Sequence, residues 1–370
     1  MKILIFTTHF YPYLGGLEKY VLELSKRLIK KGISVDIITF NDKKIKEFEN
    51  YEGINIYRLP CWNVLGEVYS IPRLNKKTRT LLKKLSEQNY DFVNTHTRFF
   101  TSSWLGMCFA KKYEIKLIHA EHGNTFVQHP NKLIEIFARV YDQTIGRKIF
   151  KNAWKVIGVS KPCIDFAIKL GANRKKTTIV HNSIDITKFK SHRKINKEIK
   201  KIVFVGRLIK AKGLTELISS VKKLNVELHI VGDGPSKKEL KKLSLMLDVK
   251  TTFYGFQEET NVKKILAKMD LFVNPSYSEG LPTSVLEAGA MGLPVIATDV
   301  GGTNEIILDS TMGWLIKPKN IKQLRNKIKQ AIDNLDVTVR KGKKLQKHII
   351  ANFNWNKTTE TFIELLSNKF

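Results

Sequence analysis

The sequence is poor in cysteine and lacks long apolar runs. Its 370 residues include three cysteines, Cys61, Cys108 and Cys163, which are widely spaced and form no CxxC pair. This excludes a disulfide framework and a zinc ribbon. No segment approaches the roughly 20 consecutive apolar residues that cross a bilayer, and the apolar run at residues 3–6 is too short for the core of a secretion signal. These absences predict a cytoplasmic protein with reduced cysteines.

Acidic residues are also scarce: 34 Asp and Glu stand against 64 Lys and Arg, a formal net charge of +30. Most lysines recur at helical spacing beside Leu and Ile, which is typical of solvated helix faces. Residues 73–85 carry the densest basic pattern and predict an amphipathic helix suited to anionic lipid head groups. No zinc finger, RNP-like motif or basic arm accompanies the charge, so we expect no nucleic-acid partner.

Hydrophobic residues make up 42% of the chain and follow an alternating pattern of short β-branched runs and amphipathic helical stretches. This alternation predicts parallel sheets covered by helices on both faces. The pattern lapses into a polar, lysine-rich stretch at residues 188–200 and then restarts, which predicts a linker between two similar α/β halves. Ligands of such proteins bind beyond the carboxyl ends of the strands, so we expect a site in a cleft between the two halves.

The most informative segment is residues 274–288, in which a strand leads through a loop rich in Pro and Gly into a helix that begins near Thr283. Backbone N–H groups and the dipole at this helix start suit a phosphate group. Glu279 precedes the helix and Glu287 lies one turn inside it, so the two carboxylates can bind hydroxyls at both ends of a nucleotide sugar. The alternative is structural, because residues 284–287 also fit a capping box.

A second candidate is the loop after the strand at residues 201–206, which carries Arg207 and Lys212 just before a helix. A planar guanidinium and a lysine point charge form a suitable clamp for a departing diphosphate. The alternative is that these residues form an ordinary basic loop between a strand and a helix, without a role in ligand binding. Gly232, in a Gly-Asp-Gly turn after the next strand, is weak evidence for a ligand site by itself.

In the first half, Gly15 and Gly16 follow the first strand and can bring backbone N–H groups close to an anion. They do not form a GxGxxG motif, so no dinucleotide site is indicated. His122 ends the motif HAEH at a strand end, where it can hydrogen-bond a substrate hydroxyl. A metal site is the weaker interpretation, because this spacing differs from that of HExxH proteins. His9 and His96 are better interpreted as core or loop histidines.

Together these elements resemble the family 4 retaining glycosyltransferases of the GT-B fold, over nearly the whole chain. Further matching segments are Glu121-His122-Gly123, a His-Asn-Ser-Ile-Asp run at residues 181–185, and Lys212-Gly213. The resemblance implies an α/β protein of two Rossmann-like domains facing across a cleft. Residues 1–190 would form the acceptor-side domain, completed by a returning C-terminal helix at 356–370, and residues 191–355 the nucleotide-sugar-binding domain.

The resemblance also implies roles for four catalytic residues. Glu279 would contact the donor sugar and His122 would reach that sugar from the first domain. Arg207 and Lys212 would neutralise the departing diphosphate, as a divalent metal does in other transferases, so neither a metal nor a further cofactor is expected. Glu287 would bind the ribose. The other implied donor-binding residues are Gly15, Gly16, Gly232, Phe256, Gly280, Leu281, Pro282 and Thr283.

The predicted activity is therefore transfer of a sugar from a UDP or GDP sugar to a glycan or a lipid-linked acceptor, in the synthesis of surface polysaccharide or glycolipid. Docking on the inner face of an anionic membrane is compatible with it. Two alternatives are a sugar-nucleotide epimerase of the same fold and a non-catalytic basic protein that binds membranes or nucleic acid. Release of an epimerised nucleotide sugar would indicate the epimerase. Steeply salt-dependent binding to nucleic acid, without binding of a nucleotide sugar, would indicate the non-catalytic protein.

Overall fold

The computed structural model describes residues 1–12, 15–64, 69–127, 131–189 and 198–367. It divides into two compact units, which we call unit 1 (Met1–His181 with Thr359–Phe370) and unit 2 (Asn182–Thr358). Most of the predicted linker at residues 188–200 lies outside the described residues, as do residues 368–370 of the predicted C-terminal helix. Each unit is an α/β structure built on one large sheet, as the alternating pattern predicts.

Unit 1 contains an eight-stranded sheet and a separate two-stranded hairpin. The strands are β1 (Lys2–Phe6), β2 (Ser34–Phe40), β3 (Phe48–Tyr51), β4 (Ile54–Leu59), β5 (Cys61–Val64), β6 (Tyr69–Pro72), β7 (Phe92–His96), β8 (Lys116–Glu121), β9 (Lys155–Gly158) and β10 (Thr177–Ile179). Across the sheet their order is β10-β9-β8-β7-β1-β2-β4-β3, and every pair is parallel except β3 with β4. Strands β5 and β6 form the hairpin.

The helices of unit 1 are α1 (Gly16–Lys30), α2 (Lys76–Ser86), α3 (Thr101–Lys112), α4 (Lys132–Tyr141), α5 (Arg147–Asn152) and α6 (Lys161–Lys169). One π-helical turn, Asp142–Gly146, joins α4 to α5. Helix α1 buries Tyr20, Val21, Leu24 and Leu28, the face that its periodicity predicts. Helix α2 begins at Lys76 and not at residue 73, because the Asn75 side chain caps it by accepting a hydrogen bond from the Thr78 N–H.

Unit 2 is a six-stranded, fully parallel sheet in the order β13-β12-β11-β14-β15-β16. Its strands are β11 (Lys201–Val205), β12 (Glu227–Val231), β13 (Thr251–Gly255), β14 (Leu271–Asn274), β15 (Val295–Thr298) and β16 (Trp314–Ile316). Its helices are α7 (Ile186–Phe189), α8 (Leu214–Val221), α9 (Lys237–Met246), α10 (Glu259–Leu266), α11 (Thr283–Ala290), α12 (Thr303–Ile306), α13 (Ile321–Asp333) and α14 (Leu335–Asn352). The last helix, α15 (Trp355–Leu366), begins in unit 2 and ends in unit 1.

Both sheets are buried on both faces, which explains their near-continuous apolar strands. In unit 2 the core includes Phe204, Leu228 and Val273, all with no exposed side-chain surface. In each unit the strand order reverses direction beside the first strand, between β11 and β14 in unit 2 and between β1 and β7 in unit 1. Ligands of doubly wound sheets bind outside the carboxyl ends of the strands at this reversal. The fold therefore points to the loops after these four strands.

Candidate active site

The loops that follow β11 and β14 come together at the strand reversal of unit 2. The two strands are paired directly, with Ile202 opposite Leu271. The Tyr277 N–H donates to the Ala211 carbonyl oxygen over 2.8 Å, which joins one loop to the other. Gly213 adopts a left-handed φ of +65°, and a Cβ there would lie 2.1 Å from the Pro275 carbonyl oxygen. Glycine at this position therefore allows the close approach of the two loops.

This approach brings Lys212 and Glu279 into contact. The Lys212 Nζ lies 2.7 Å from Glu279 Oε1, and both side chains are largely buried. The Asn274 amide donates to the same oxygen over 3.4 Å. The other carboxylate oxygen, Oε2, has no hydrogen-bond partner among the described residues. The pair thus leaves one acceptor of Glu279 for a ligand hydroxyl, beside a cation.

Arg207 lies at the carboxyl end of β11, in the same loop as Lys212. Its side chain is exposed, and no described residue forms an ion pair or hydrogen bond with it. A guanidinium that is held on a strand end without an internal carboxylate is available to an external anion. The structure thus places both predicted cations of unit 2 in one loop, one paired and one unpaired.

Helix α11 begins at Thr283 with Pro282 as its N-cap residue, and no side chain caps it. Ser284 is already inside the helix, so the capping-box alternative is wrong. Pro282 has no amide hydrogen, and the N–H donors of this turn therefore come from its neighbours, including Gly280, Leu281 and Thr283. Glu287 lies one turn into the helix and is partly buried.

Two residues that the sequence reasoning missed hold the Glu279 loop in place. The Gly302 N–H donates to the Gly280 carbonyl oxygen over 2.7 Å. Gly301 has a φ of +55°, and a Cβ there would lie 1.6 Å from the Glu279 carbonyl oxygen. The Gly-Gly pair in the loop after β15 was the available clue, because adjacent glycines near a strand end commonly mark a close backbone approach.

Gly232 and Phe256 lie at the carboxyl ends of the next two strands. Gly232 has a φ of +134°, its N–H donates to the Gly255 carbonyl oxygen over 2.8 Å, and a Cβ there would lie 1.9 Å from the Gly206 carbonyl oxygen. Backbone packing alone therefore requires glycine at this position. Phe256 is 73% exposed, which is unusual for a large aromatic residue and leaves its ring open to a planar ligand.

In unit 1, His122 directly follows β8 and is hydrogen-bonded to His96, with 3.1 Å between His122 Nε2 and His96 Nδ1. Burial lowers the pKa of His122 to about 4, against the opposing effect of Glu121, and burial also lowers the pKa of His96 well below its ordinary value. Both rings are therefore neutral near pH 7 and act as hydrogen-bonding groups. His96 is 1% exposed, in agreement with the prediction of a core histidine.

The other residues of the HAEH motif serve a buried ion network. Arg98 lies 2.9 Å from Glu121 and 3.0 Å from Asp142, and these three side chains are almost completely buried. Burial favours a raised pKa for Glu121, but Arg98, His119 and the Gly123 N–H together lower it to about 2. In the part of the chain that the structure describes, no group of three His, Cys, Asp or Glu side chains could hold a metal ion.

Gly15 and Gly16 form the start of α1, with Gly15 as the N-cap residue in an extended conformation. A Cβ at Gly16 would meet no atom of the described residues within 4 Å, whereas one at Gly15 would lie 2.6 Å from Glu18 Oε2. The Glu18 carboxylate therefore covers the N-cap residue, and the space beside Gly16 is free. Tyr20, one turn later, contacts His122 edge to face with 5.2 Å between ring centroids. The predicted residues of unit 1 therefore lie on neighbouring elements.

Comparison with known proteins identifies the family. Residues 14–188 match the model of Glycosyltransferase Family 4, and residues 185–360 match that of Glycosyl transferases group 1. The uncharacterized glycosyltransferase MJ1069 of Methanocaldococcus jannaschii is 31% identical over 98% of this chain and 97% of its own length. The chain belongs to glycosyltransferase family 4. It is thus an enzyme that transfers a glycosyl group from a nucleotide sugar, which sets aside the non-catalytic binder.

Solved structures of other glycosyltransferases share the fold. Anabaena Alr3699/HepE, determined in complex with UDP, superposes with a TM-score of 0.81 at 20% identity and covers 99% of this chain and 100% of its own. The sucrose-phosphate synthase of Thermosynechococcus elongatus has the same TM-score at 20% identity, covering 100% and 99%. These likenesses confirm the GT-B fold for this family 4 glycosyltransferase. Of the helices that the structure describes, none is long and apolar enough to span a membrane.

Proposed function

We propose that this glycosyltransferase moves a sugar from a UDP sugar to a glycan or lipid-linked acceptor with retention of anomeric configuration. The observation that carries the proposal is the contact between Lys212 and Glu279 at the strand reversal, beside the exposed Arg207. A lysine paired with a half-satisfied carboxylate lies there, next to an uncapped helix start and in the same loop as an unpaired guanidinium. A sugar diphosphate presents the matching set of groups, with two charged phosphates and a polyhydroxylated ring.

The proposed mechanism is electrostatic. Cleavage of the glycosyl–phosphate bond builds positive charge on the sugar and negative charge on the diphosphate. Arg207, Lys212 and the N–H groups at the start of α11 would receive the negative charge, and preorganised donors of this kind are each worth about 3 kcal/mol. The Oε2 atom of Glu279 would accept a hydrogen bond from a sugar hydroxyl. Glu287, one turn into α11, would accept hydrogen bonds from the ribose.

The uridine assignment rests on the solved structure that carries UDP and on the exposed ring of Phe256. A base that lies beyond β12 and β13 would stack on this ring, and the required glycine at position 232 would let the nucleotide approach the backbone. GDP sugars are the alternative donors that the same residues would accept.

We assign donor binding to residues 191–355 and acceptor binding to residues 1–190 with 356–370. The free space beside Gly16 and the neutral His122 are the features of the acceptor domain that support a polar substrate. A relative in Bacillus subtilis, 27% identical over 82% of this chain and 76% of its own length, is named a putative teichuronic acid biosynthesis glycosyltransferase, TuaC. This likeness supports a role in the synthesis of surface polysaccharide or glycolipid.

Thermal unfolding in the presence of UDP, GDP, ADP and TDP sugars tests the donor assignment. A ligand that binds only the native state raises the apparent Tm. We expect the largest increase with a UDP sugar, its loss in Glu287→Ala, and its retention in the matched variant Glu239→Ala on the exposed side of α9. No increase with any nucleotide sugar would contradict the proposal, and release of epimerised donor without acceptor would indicate the epimerase alternative.

A further inference from the structure

Helix α4 of unit 1 exposes the side chains that a helix normally buries. Leu133, Ile136, Phe137 and Val140 are 71%, 58%, 80% and 52% exposed. Their spacing of three, four and seven residues places them on one side of the helix, which we call the outer face of α4. Only Ala138 of this helix is buried against the rest of unit 1. A contiguous exposed apolar stripe of this kind marks an interaction surface.

Helix α2, which the sequence predicts to contact the membrane, buries its apolar side chains instead of exposing them. Its Leu85 is buried, and Leu81 and Leu82 pack against the core of unit 1. Its basic side chains point to solvent. Helix α2 therefore offers charge to a surface but no apolar side chains, and α4 offers both.

Exposed basic residues accompany the outer face of α4 along the chain. Along the continuous stretch from α4 through α5, the exposed charged side chains are Lys132, Arg139, Arg147, Lys148 and Lys151. The two acids of this stretch are already engaged: Glu135 pairs with Lys132, and Asp142 is buried against Arg98. A second copy of this face would bring like charges together, whereas an anionic lipid surface complements them.

A second apolar feature adjoins α4. Tyr141, the last residue of α4, contacts Phe99, and Phe99 contacts Tyr69 of β6. The hairpin of β5 and β6 exposes Trp62 opposite Ile71, and the Arg73 guanidinium lies 5.2 Å from the Trp62 ring centroid. Tryptophan beside arginine is typical of the boundary between lipid head groups and acyl chains.

We propose that the outer face of α4 is the membrane-docking surface of this enzyme and that it inserts into the head-group region of an anionic lipid bilayer. The apolar side chains enter the acyl boundary, and the basic residues of α5 bind the lipid phosphates. His122 lies ten residues before Lys132 in the chain, so this surface also brings the acceptor-binding unit to the lipid. The inference does not depend on which nucleotide sugar is the donor.

Co-sedimentation with lipid vesicles, without any nucleotide sugar, tests the apolar contribution. We compare the full chain with Ile136→Ser/Phe137→Ser and with the control Leu245→Ser/Met246→Ser, two exposed apolar residues of α9 in unit 2. On vesicles of phosphatidylcholine with phosphatidylglycerol, we expect the partition coefficient of the α4 variant to fall about tenfold or more, because two apolar anchors are lost. The control variant should bind like the unaltered protein. Equal binding by all three proteins would overturn the proposal.

Charge reversal tests the lipid phosphates separately. We expect Lys148→Glu/Lys151→Glu to lose the preference for vesicles with phosphatidylglycerol over pure phosphatidylcholine, and Lys238→Glu/Lys242→Glu on α9 to keep it. Absence of any such preference in the unaltered protein would overturn the anionic-lipid assignment. Conversion of a dimer to a monomer by Ile136→Ser/Phe137→Ser, measured by light scattering without lipid, would instead assign the face to a second copy. The rise in Tm with a UDP sugar should persist in all these variants. A failure of the membrane-docking proposal can therefore be distinguished from a failure of the donor assignment.

Discussion

The two units have the same strand order around their reversal points but place different chemistry there. In unit 2 the strand ends carry Arg207 and the Lys212–Glu279 pair, which are charged and reach solvent. In unit 1 the carboxyl ends of β7 and its neighbour β8 carry His96 and His122, which are neutral, and the charges of Arg98 and its carboxylates are buried. The same topology therefore carries charged side chains at the strand ends of one unit and neutral histidines in the other.

We expect the largest effect from a substitution in the buried ion network of Arg98, Glu121 and Asp142 in unit 1. In Arg98→Met, Glu121 and Asp142 lose their shared cation and remain buried. Breaking a buried pair in this way costs about 3–5 kcal/mol of unfolding free energy. Lys161→Met, which breaks the exposed pair with Asp165, should cost about 1 kcal/mol or less. Urea unfolding of both variants checks this, and equal losses would mean that the Arg98 network is not the buried support of unit 1.

Substitutions in the charged loops of unit 2 should do the reverse: they should change the free energy of unfolding little and lower turnover strongly. Arg207 is exposed and unpaired among the described residues, so Arg207→Ala should unfold at nearly the same urea concentration as the unaltered protein. Its turnover should fall about a hundredfold or more, since one preorganised donor to the leaving group is lost. Lys238→Ala on α9 is the control. Unchanged turnover in Arg207→Ala would remove the electrostatic role that we assign to this loop.

A pH titration sharpens the comparison through the neutral histidines of unit 1. Burial lowers the pKa of His122 to about 4 and lowers that of His96 well below its ordinary value, whereas an unfolded histidine titrates near 6.5. Between these values the unfolded chain binds more protons than the folded one, so stability is lost as the pH falls from about 6.5 towards about 4. Urea midpoints measured across this range should decline less steeply in His122→Asn. An unchanged slope would assign the acid sensitivity to other groups.

The smallest effect on stability concerns the open start of α1. Gly16→Ala places a methyl group in free space and improves helix propensity, so stability should stay the same or rise by about 0.5–1 kcal/mol. If a substrate phosphate approaches this backbone, the methyl group would still raise KM. Steady-state kinetics of Gly16→Ala, measured where the variant is fully folded, separates the effect on KM from the effect on stability. An unaltered KM would mean that the substrate does not approach the backbone at Gly16.

Much of the fold could be predicted from periodicity. The strand predicted at residues 201–206 is β11, Lys201–Val205, and α1 buries the face that its periodicity indicates. Strong local patterns of this kind survive tertiary packing because they describe which side of an element meets the core. The start of α2 was misplaced by three residues, since the cap by Asn75 outweighs the basic amphipathic pattern that begins at Arg73.

The candidate site was harder to predict because its support comes from distant segments. Arg207, Lys212 and Glu279 were found from their motifs, but the need for Gly301 beside the Glu279 carbonyl oxygen appears only when β15 lies next to β14. Likewise, the HAEH motif does not reveal that its Glu121 is committed to Arg98. The partner in each case lies more than 20 residues away in sequence, and local spacing carries no information about such a neighbour.

The sequence by itself determined the class of the molecule: two α/β halves, a large positive charge, and a family-specific order of glycines, cations and carboxylates. Tertiary structure alone decided which of those groups meet and which apolar faces remain uncovered. Helices α2 and α4 both have apolar and basic positions at helical spacing, yet only packing determines that the leucines of α2 join the core and that the apolar side chains of α4 face solvent. The physical reason is that burial depends on what lies across from a side chain, and that neighbour is set by the arrangement of the whole sheet.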